Sequence, residues 1–143
     1  MEPHFYPVEI KWESQRKGTL RSIDVNNSFE VATPPQFPGG MPGIWSPEHL
    51  LTAAVASCYM TTFLSIAEKS RLNYSSFSCK GNGKLEMSDG VLLMTEIVLY
   101  AELQIADAAD KDKAEKILEK AEIHCLISNS IKSKVSLNTS ITF

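Results

Sequence analysis

The sequence is not rich in basic residues: 14 lysines and arginines stand against 17 aspartates and glutamates, for a net charge of −3. With a pI of about 5.6 the chain lacks the electropositive footprint of a protein that grips nucleic acid or an anionic membrane. Cysteine is sparse, at three residues, and no CxxC pair occurs. The three histidines, His4, His49 and His124, are scattered, and the His124–Cys125 pair has no usual zinc-ligand spacing, so no metal site is expected. The opening MEPHFYPVEIKW has no basic start followed by an apolar core, so no secretory signal is read there. Without one, three cysteines do not make a secreted disulfide framework, and a reducing cytoplasm with a working thiol is the expected setting. Internal repeats and low-complexity segments are lacking too. A second long apolar run is also missing; the single one, Leu50 to Ala67, is diluted by Thr52, Ser57, Thr61, Thr62 and Ser65 and reads as a helix buried in protein.

What is present suits one soluble domain over residues 1–143, with 43% apolar and 22% charged residues. His4 to Trp12 and Thr19 to Val25 alternate as strands, and Asn26-Asn27 turns the chain into a third near Phe29 to Ala32. PPQFPGGMPGIWSP then breaks regular structure as an ordered loop or lid. Ser46 as N-cap, Pro47 at the first helical position and Glu48 in the first turn open a long helix that fades around Ser70 to Asn73. Leu51, Ala54, Cys58, Thr61 or Thr62 and Ile66 recur at helical spacing and place Cys58 in one packed stripe. Ser75 to Met87 and Val91 to Gln104 form a hairpin around Asp89-Gly90. Asp107 to Glu122, with Ala114, Ile117, Leu118 and Ala121 as its apolar face, is a second helix, and Val135 to Phe143 a closing strand. The order βββ–α–ββ–α–β implies an α+β domain with helices packed on antiparallel sheet.

Two cysteines stand where chemistry could use them: Cys58 inside the long helix and Cys125 just after the second one. A free cysteine is among the most buried residue types, so core filling and chemistry both remain open on the residues alone. Here a resemblance enters. SPEHLLTAAVASCY resembles the central-helix signature of the OsmC/Ohr family, a P-E-x-L start before a small-residue run that ends in a catalytic cysteine. HCLISNSIK resembles that family's second-cysteine segment, and KWESQRKGTL its N-terminal strand pair with an arginine before a glycine. The element order agrees along nearly the whole chain.

The resemblance implies thiol-dependent reduction of hydroperoxides, particularly organic ones, by an intertwined homodimer with no bound cofactor. Cys58 would then be the peroxidatic cysteine and Cys125 the resolving one. Glu48 would orient an arginine, with Arg16 the first choice and Arg21 the alternative. An external dithiol, lipoyl-type in the family, would restore the thiols. The family usually has proline after the second cysteine, where this chain has Leu126.

The chemistry asks for the same residue types. A thiolate attacks the O–O bond, and a free cysteine at pKa ~8.5 is mostly protonated at neutral pH. Mid-helix, Cys58 gains little from the helix dipole, and burial opposes its charge. A guanidinium favours the thiolate without losing its own proton, and a glutamate can fix its fork. Attack gives a sulfenic acid that a second thiol condenses with. Glu48 and Cys58 are about 15 Å apart along a straight helix at ~1.5 Å per residue. Either an arginine spans that gap or Glu48 serves the other subunit, so the site is expected at a dimer interface.

Other residues have plainer readings. Cys79 is a packing or surface thiol, His124 a helix C-terminal residue, and Arg71 and the charges from Asp107 to Lys120 a solvated helix end and face. His49 could support a Cys–His hydrolase, but adjacent helical residues point about 100° apart and the spacing gives no support. Phe37, Met41, Ile44 and Trp45 either line an apolar pocket for a lipophilic peroxide or cap the core. A non-catalytic dimer binding a small hydrophobic ligand is the alternative function, against which stand the two thiols, since a binder has no need of Cys125.

Overall fold

The computed structural model describes residues 1–143 and divides by its contacts into two compact units, Met1–Leu50 and Leu51–Phe143. The first unit carries a three-stranded antiparallel sheet in the order β1-β2-β3: β1 (Glu9–Ser14), β2 (Lys17–Arg21) and β3 (Phe29–Ala32). Both opening strands differ from the alternation-based bounds, for visible reasons. Proline at positions 3 and 7 lacks the N–H a ladder needs, and β1 starts only where Glu9 finds Arg21. Beyond Arg21 the alternating residues enter a turn instead: Ser22 Oγ donates to the Pro7 carbonyl at 2.6 Å, and the Val25 N–H donates to the Ser22 carbonyl at 3.2 Å. Every residue of β1 is exposed, including Ile10 and Trp12.

The Pro/Gly segment is an ordered loop, as its composition suggests. The Ala32 N–H donates to Trp45 O at 2.8 Å, Met41 N–H to Thr33 O at 2.9 Å and Gly40 N–H to Phe37 O at 2.9 Å. Gly40 permits this path: a Cβ there would stand 2.0 Å from the Pro34 carbonyl oxygen, a clash with fixed backbone.

Helix α1 (Pro47–Lys69) begins as Ser46 requires: the Ser46 hydroxyl accepts the His49 N–H at 3.1 Å. Within the second unit, α1 is buried along one stripe only, Val55, Tyr59, Phe63 and Ala67, while Ser57, Met60, Thr61 and Leu64 are exposed. The expected stripe through Cys58 is therefore rotated. Apolar periodicity alone could not separate the two faces, because small residues surround Cys58 on both sides. The large rings decide it: Phe63 stacks on Phe77 at 4.5 Å and meets Tyr74 edge-on at 5.5 Å.

Strands β4 (Tyr74–Ser88) and β5 (Val91–Ile105) pair antiparallel around Asp89 and Gly90, both at positive φ (48° and 81°), the geometry an Asp-Gly hairpin favours. Strict alternation along β5 buries Ile97, Leu99, Ala101, Leu103 and Ile105. A 3-10 turn at Ala108–Asp110, capped by Asp107 Oδ1 accepting the Ala109 N–H at 2.9 Å, leads into α2 (Lys111–Ile123). Its Ala114, Ile117, Leu118 and Ala121 complete the core, the face the sequence marks. β6 (Lys134–Thr142) then lies parallel to β5, so the second sheet is mixed rather than purely antiparallel. The α2 crossover returns the chain to the same end of β5, and side-chain alternation carries no signal for strand direction.

The Tyr59 hydroxyl ties the two helices by donating to the Leu118 carbonyl at 2.9 Å inside the core. Tyr59→Phe should cost about 1 kcal/mol, because the carbonyl stays within α2 while one buried hydrogen bond is lost. Urea unfolding should show a lower midpoint at an unchanged slope.

Candidate active site

Cys58 and Cys125 come together in the second unit. Cys58, half-buried on α1, is free, and so is Cys125, which is fully buried. The polypeptide leaves α2 through His124, whose N–H donates to Lys120 O at 3.1 Å, and turns at once. The Cys125 N–H donates to Glu122 O at 3.2 Å, and the Cys125 carbonyl accepts the Asn129 N–H at 3.1 Å. Cys125 thus heads a single helical turn, followed by a 3-10 turn at Ser128–Ser130. Two side chains lock it: Ser130 Oγ donates to Leu126 O at 2.7 Å, and Asn129 Nδ2 to Ile123 O at 3.2 Å. His124 caps α2, in accord with its plainer reading.

The surroundings set the two thiols apart. Burial pushes Cys58 up, but the backbone N–H of Ile127, the Cys125 thiol, the Thr62 hydroxyl and the Leu126 N–H all favour its thiolate. The net direction is down from the ordinary thiol value. Thr62, one helical turn along α1, stands 4.0 Å from Cys58 Sγ. Cys125 is driven the other way. Burial raises it, the Ser128 hydroxyl and N–H partly oppose this, and the neighbouring Cys58 sulfur raises it further. The Ser128 hydroxyl is buried without a well-formed hydrogen bond and faces the Cys125 sulfur. The pair therefore consists of a sulfur disposed to ionise and a neighbour that keeps its proton and shares it.

Cys79, on β4, is raised by burial and its thiol faces the Lys80 carbonyl at 3.8 Å, in keeping with a packing role. Tyr59 is likewise pushed up by burial and stays neutral.

The remaining residues marked in the sequence belong to the first unit. Arg16 sits in the β1–β2 turn with its side chain against Gly39, where a Cβ would stand 3.1 Å from Arg16 Cγ. Arg21 ends β2, and Glu48 is half-buried in the first turn of α1. Phe37, Met41 and Ile44 are half-buried in the Pro/Gly loop, while Trp45 is exposed and sets its ring edge-on to His49 at 6.1 Å. His49 Nδ1 also lies 2.6 Å from Ser46 Oγ, so this histidine serves the helix cap. Four contributors at the thiol pair escaped the sequence reading: the two backbone N–H groups, the Thr62 hydroxyl and Ser128. Thr62, one helical turn after Cys58, and Ser128, three residues beyond Cys125, had a side-chain signal to offer.

A mixed α+β chain with a thiol pair at the meeting of its central helix and the turn after its second helix is a thiol-bearing protein of a recognisable kind. Residues 40–140 match the model of the OsmC-like protein family, and the chain belongs to that family. YmaD of Bacillus subtilis (strain 168) is 27% identical over 142 residues, which is 96% of this chain and 93% of that one. The OsmC-like protein VCA0330 of Vibrio cholerae superposes with a TM-score of 0.87 at 22% identity, over 96% of this chain and all of the other. The organic hydroperoxide resistance protein OhrB of Bacillus subtilis superposes at 0.67 with 18% identity, over 97% and 98% of the two chains. These likenesses bear out the α+β class and the element order read from the sequence.

Proposed function

We propose that this protein is a thiol-dependent peroxidase that reduces organic hydroperoxides with Cys58 and Cys125. The observation that carries the reading is the adjacency of two free thiols with opposed tendencies, Cys58 toward the thiolate and Cys125 toward the thiol. The Cys58 thiolate attacks the outer oxygen of ROOH; the O–O bond breaks, ROH leaves with a proton, and Cys58 becomes a sulfenic acid. Cys125 then attacks that sulfur, its proton leaves with the hydroxyl as water, and a disulfide forms. An external dithiol, lipoyl-type by family resemblance, returns both thiols and is itself oxidised to a disulfide. A protein so reduced works in the cytoplasm.

Arg16, held by Glu48, is proposed as the guanidinium that receives the peroxide, with Phe37, Met41, Ile44 and Trp45 lining the place for its apolar group. A homodimer is part of the proposal. Its support is the apolar surface: Phe5, Tyr6, Val8, Ile10 and Trp12 of the first unit, and Met87, Val91 and Leu92 of the β4–β5 hairpin, are all exposed in the single chain. Light scattering should give twice the chain mass.

Cys125→Ser separates the two chemical steps. It should still consume one equivalent of tert-butyl hydroperoxide, yield a dimedone adduct at Cys58, and lose steady-state turnover with dihydrolipoamide by at least ~100-fold. Undiminished turnover in Cys125→Ser would remove the resolving role.

A further inference from the structure

The outer face of α2 is sorted by charge, and the sorting ends at the second sulfur. Ala114, Ile117, Leu118 and Ala121 turn inward to the core. At about 100° per residue, Lys113, Lys116 and Lys120 then fall within about 60° of one another along one outer flank, and Glu115, Glu119 and Glu122 along the other. The three lysines are exposed. None of them has an ion-pair partner, the chain's lysine–carboxylate pairs being those of Lys17 and Lys84. The sorting does not serve the helix itself, because Lys116 and Lys120 stand one turn apart, as do Glu115 and Glu119, and like charges at that spacing destabilise a helix. Where the lysine row runs out, Ile123 and Leu126 are each 65% exposed, one on either side of His124 and Cys125 in the chain. Large apolar side chains at the end of an uncompensated row of charge have the make-up of a contact surface, an apolar centre with a charged rim.

We propose that the lysine flank of α2, with Ile123 and Leu126, is the docking surface for an acidic protein that carries the dithiol reducing the Cys58–Cys125 disulfide. The inference rests on the reading of Cys58 and Cys125 as a redox pair and names the surface at which their reductant arrives. Charge selects the occupant. The chain carries a net charge of −3, so an acidic protein is repelled by the whole and attracted by this row, which steers it to the end of α2. Nucleic acid and anionic lipid share that charge but bring no dithiol, and a second copy of this chain brings only the same pair. Accessibility selects the sulfur. Cys58 is half-buried and Cys125 fully buried, so a thiolate of the partner attacks the Cys58 sulfur. The S–S bond breaks, Cys125 leaves and takes up a proton, and a mixed disulfide joins Cys58 to the partner. The partner's second thiolate attacks its own sulfur in that bond and releases Cys58. The partner departs as a disulfide, and its two thiol protons balance the two restored thiols.

The test reads disulfide reduction without peroxide. The full-length protein is oxidised with diamide, and the rate at which the Cys58–Cys125 disulfide opens is measured with three reductants. These are dihydrolipoamide, a glutamate-rich peptide bearing a dihydrolipoyl-lysine, and a lysine-rich peptide bearing the same group. At low salt the acidic peptide should react roughly tenfold faster than the basic one, and added sodium chloride should erase the difference. The triple variant Lys113→Glu/Lys116→Glu/Lys120→Glu should lose that preference and stay within about twofold of the parent protein with dihydrolipoamide. Ile123→Ser should slow the acidic peptide about threefold and leave dihydrolipoamide unchanged. Should the charge reversal unfold α2 by circular dichroism, the triple Lys→Gln variant decides in its place. Equal rates for the two peptides in the parent protein overturn the proposal, and so does a variant that slows dihydrolipoamide as much as the acidic peptide. A chain whose Cys58 and Cys125 do not join under diamide overturns it together with the redox pair. A disulfide that opens as expected in a protein without peroxide turnover would count against the peroxidase reading and leave this inference standing.

Discussion

Cys58→Ser should abolish hydroperoxide reduction, lowering turnover by about 10³-fold or more while leaving the fold in place. The size of the effect follows from the chemistry. A serine hydroxyl is hardly ionised near neutral pH, whereas the Cys58 thiol is lowered by the Ile127 and Leu126 amides, the Cys125 thiol and the Thr62 hydroxyl against the opposing effect of burial. Oxygen also cannot cycle between reduced and sulfenic states, so no partial reaction survives. The fold should tolerate the change because Cys58 is half-buried and lies off the stripe of Val55, Tyr59, Phe63 and Ala67. Far-ultraviolet circular dichroism and urea unfolding should match the parent protein. The pH dependence has a definite sign: reaction of Cys58 with peroxide should persist below the range of an ordinary thiol and fall away as the lowered group takes up its proton. Turnover that survives in Cys58→Ser would mean that the reacting group lies elsewhere.

The largest effect on stability is expected from Phe63→Ala. Phe63 is fully buried, stacked on Phe77 at 4.5 Å and edge-on to Tyr74 at 5.5 Å, in the middle of the second unit's core. Truncation removes the transfer energy of the ring, empties its volume and deletes two aromatic contacts, for a loss of about 3–5 kcal/mol. Against a typical total of roughly 5–15 kcal/mol, that is a large share of what holds a domain together. Chemical denaturation should show a strongly lowered midpoint. A loss below ~1 kcal/mol would show that the cluster can collapse around the gap.

Features written in local chemistry were legible in the sequence. Ser46-Pro47-Glu48 marks the start of α1, Asp89-Gly90 the β4–β5 hairpin, and the apolar face of α2 the elements it packs on. The Cys58 and Cys125 pair was marked by a resemblance, and the structure sets the two sulfurs side by side. Features decided by distant partners were not legible. Ser22 to Val25 alternates like a strand yet forms a turn, because pairing with β1 ends at Arg21. β6 carries the alternation of a strand, but its parallel direction is set by the α2 crossover. The rotation of the buried stripe on α1 depended on where Phe77 and Tyr74 would stand. The amides of Leu126 and Ile127 illustrate the same limit at the site, since a backbone N–H has no letter in the sequence.

Whether Cys58 and Cys125 act as one redox pair is decided by treating the reduced protein with a single equivalent of an organic hydroperoxide and mapping its peptides by mass spectrometry. One disulfide should join Cys58 to Cys125, with Cys79 still a free thiol and one equivalent of the alcohol released. Cys58 that stays reduced in excess peroxide, or a disulfide that engages Cys79 instead of Cys125, would contradict it.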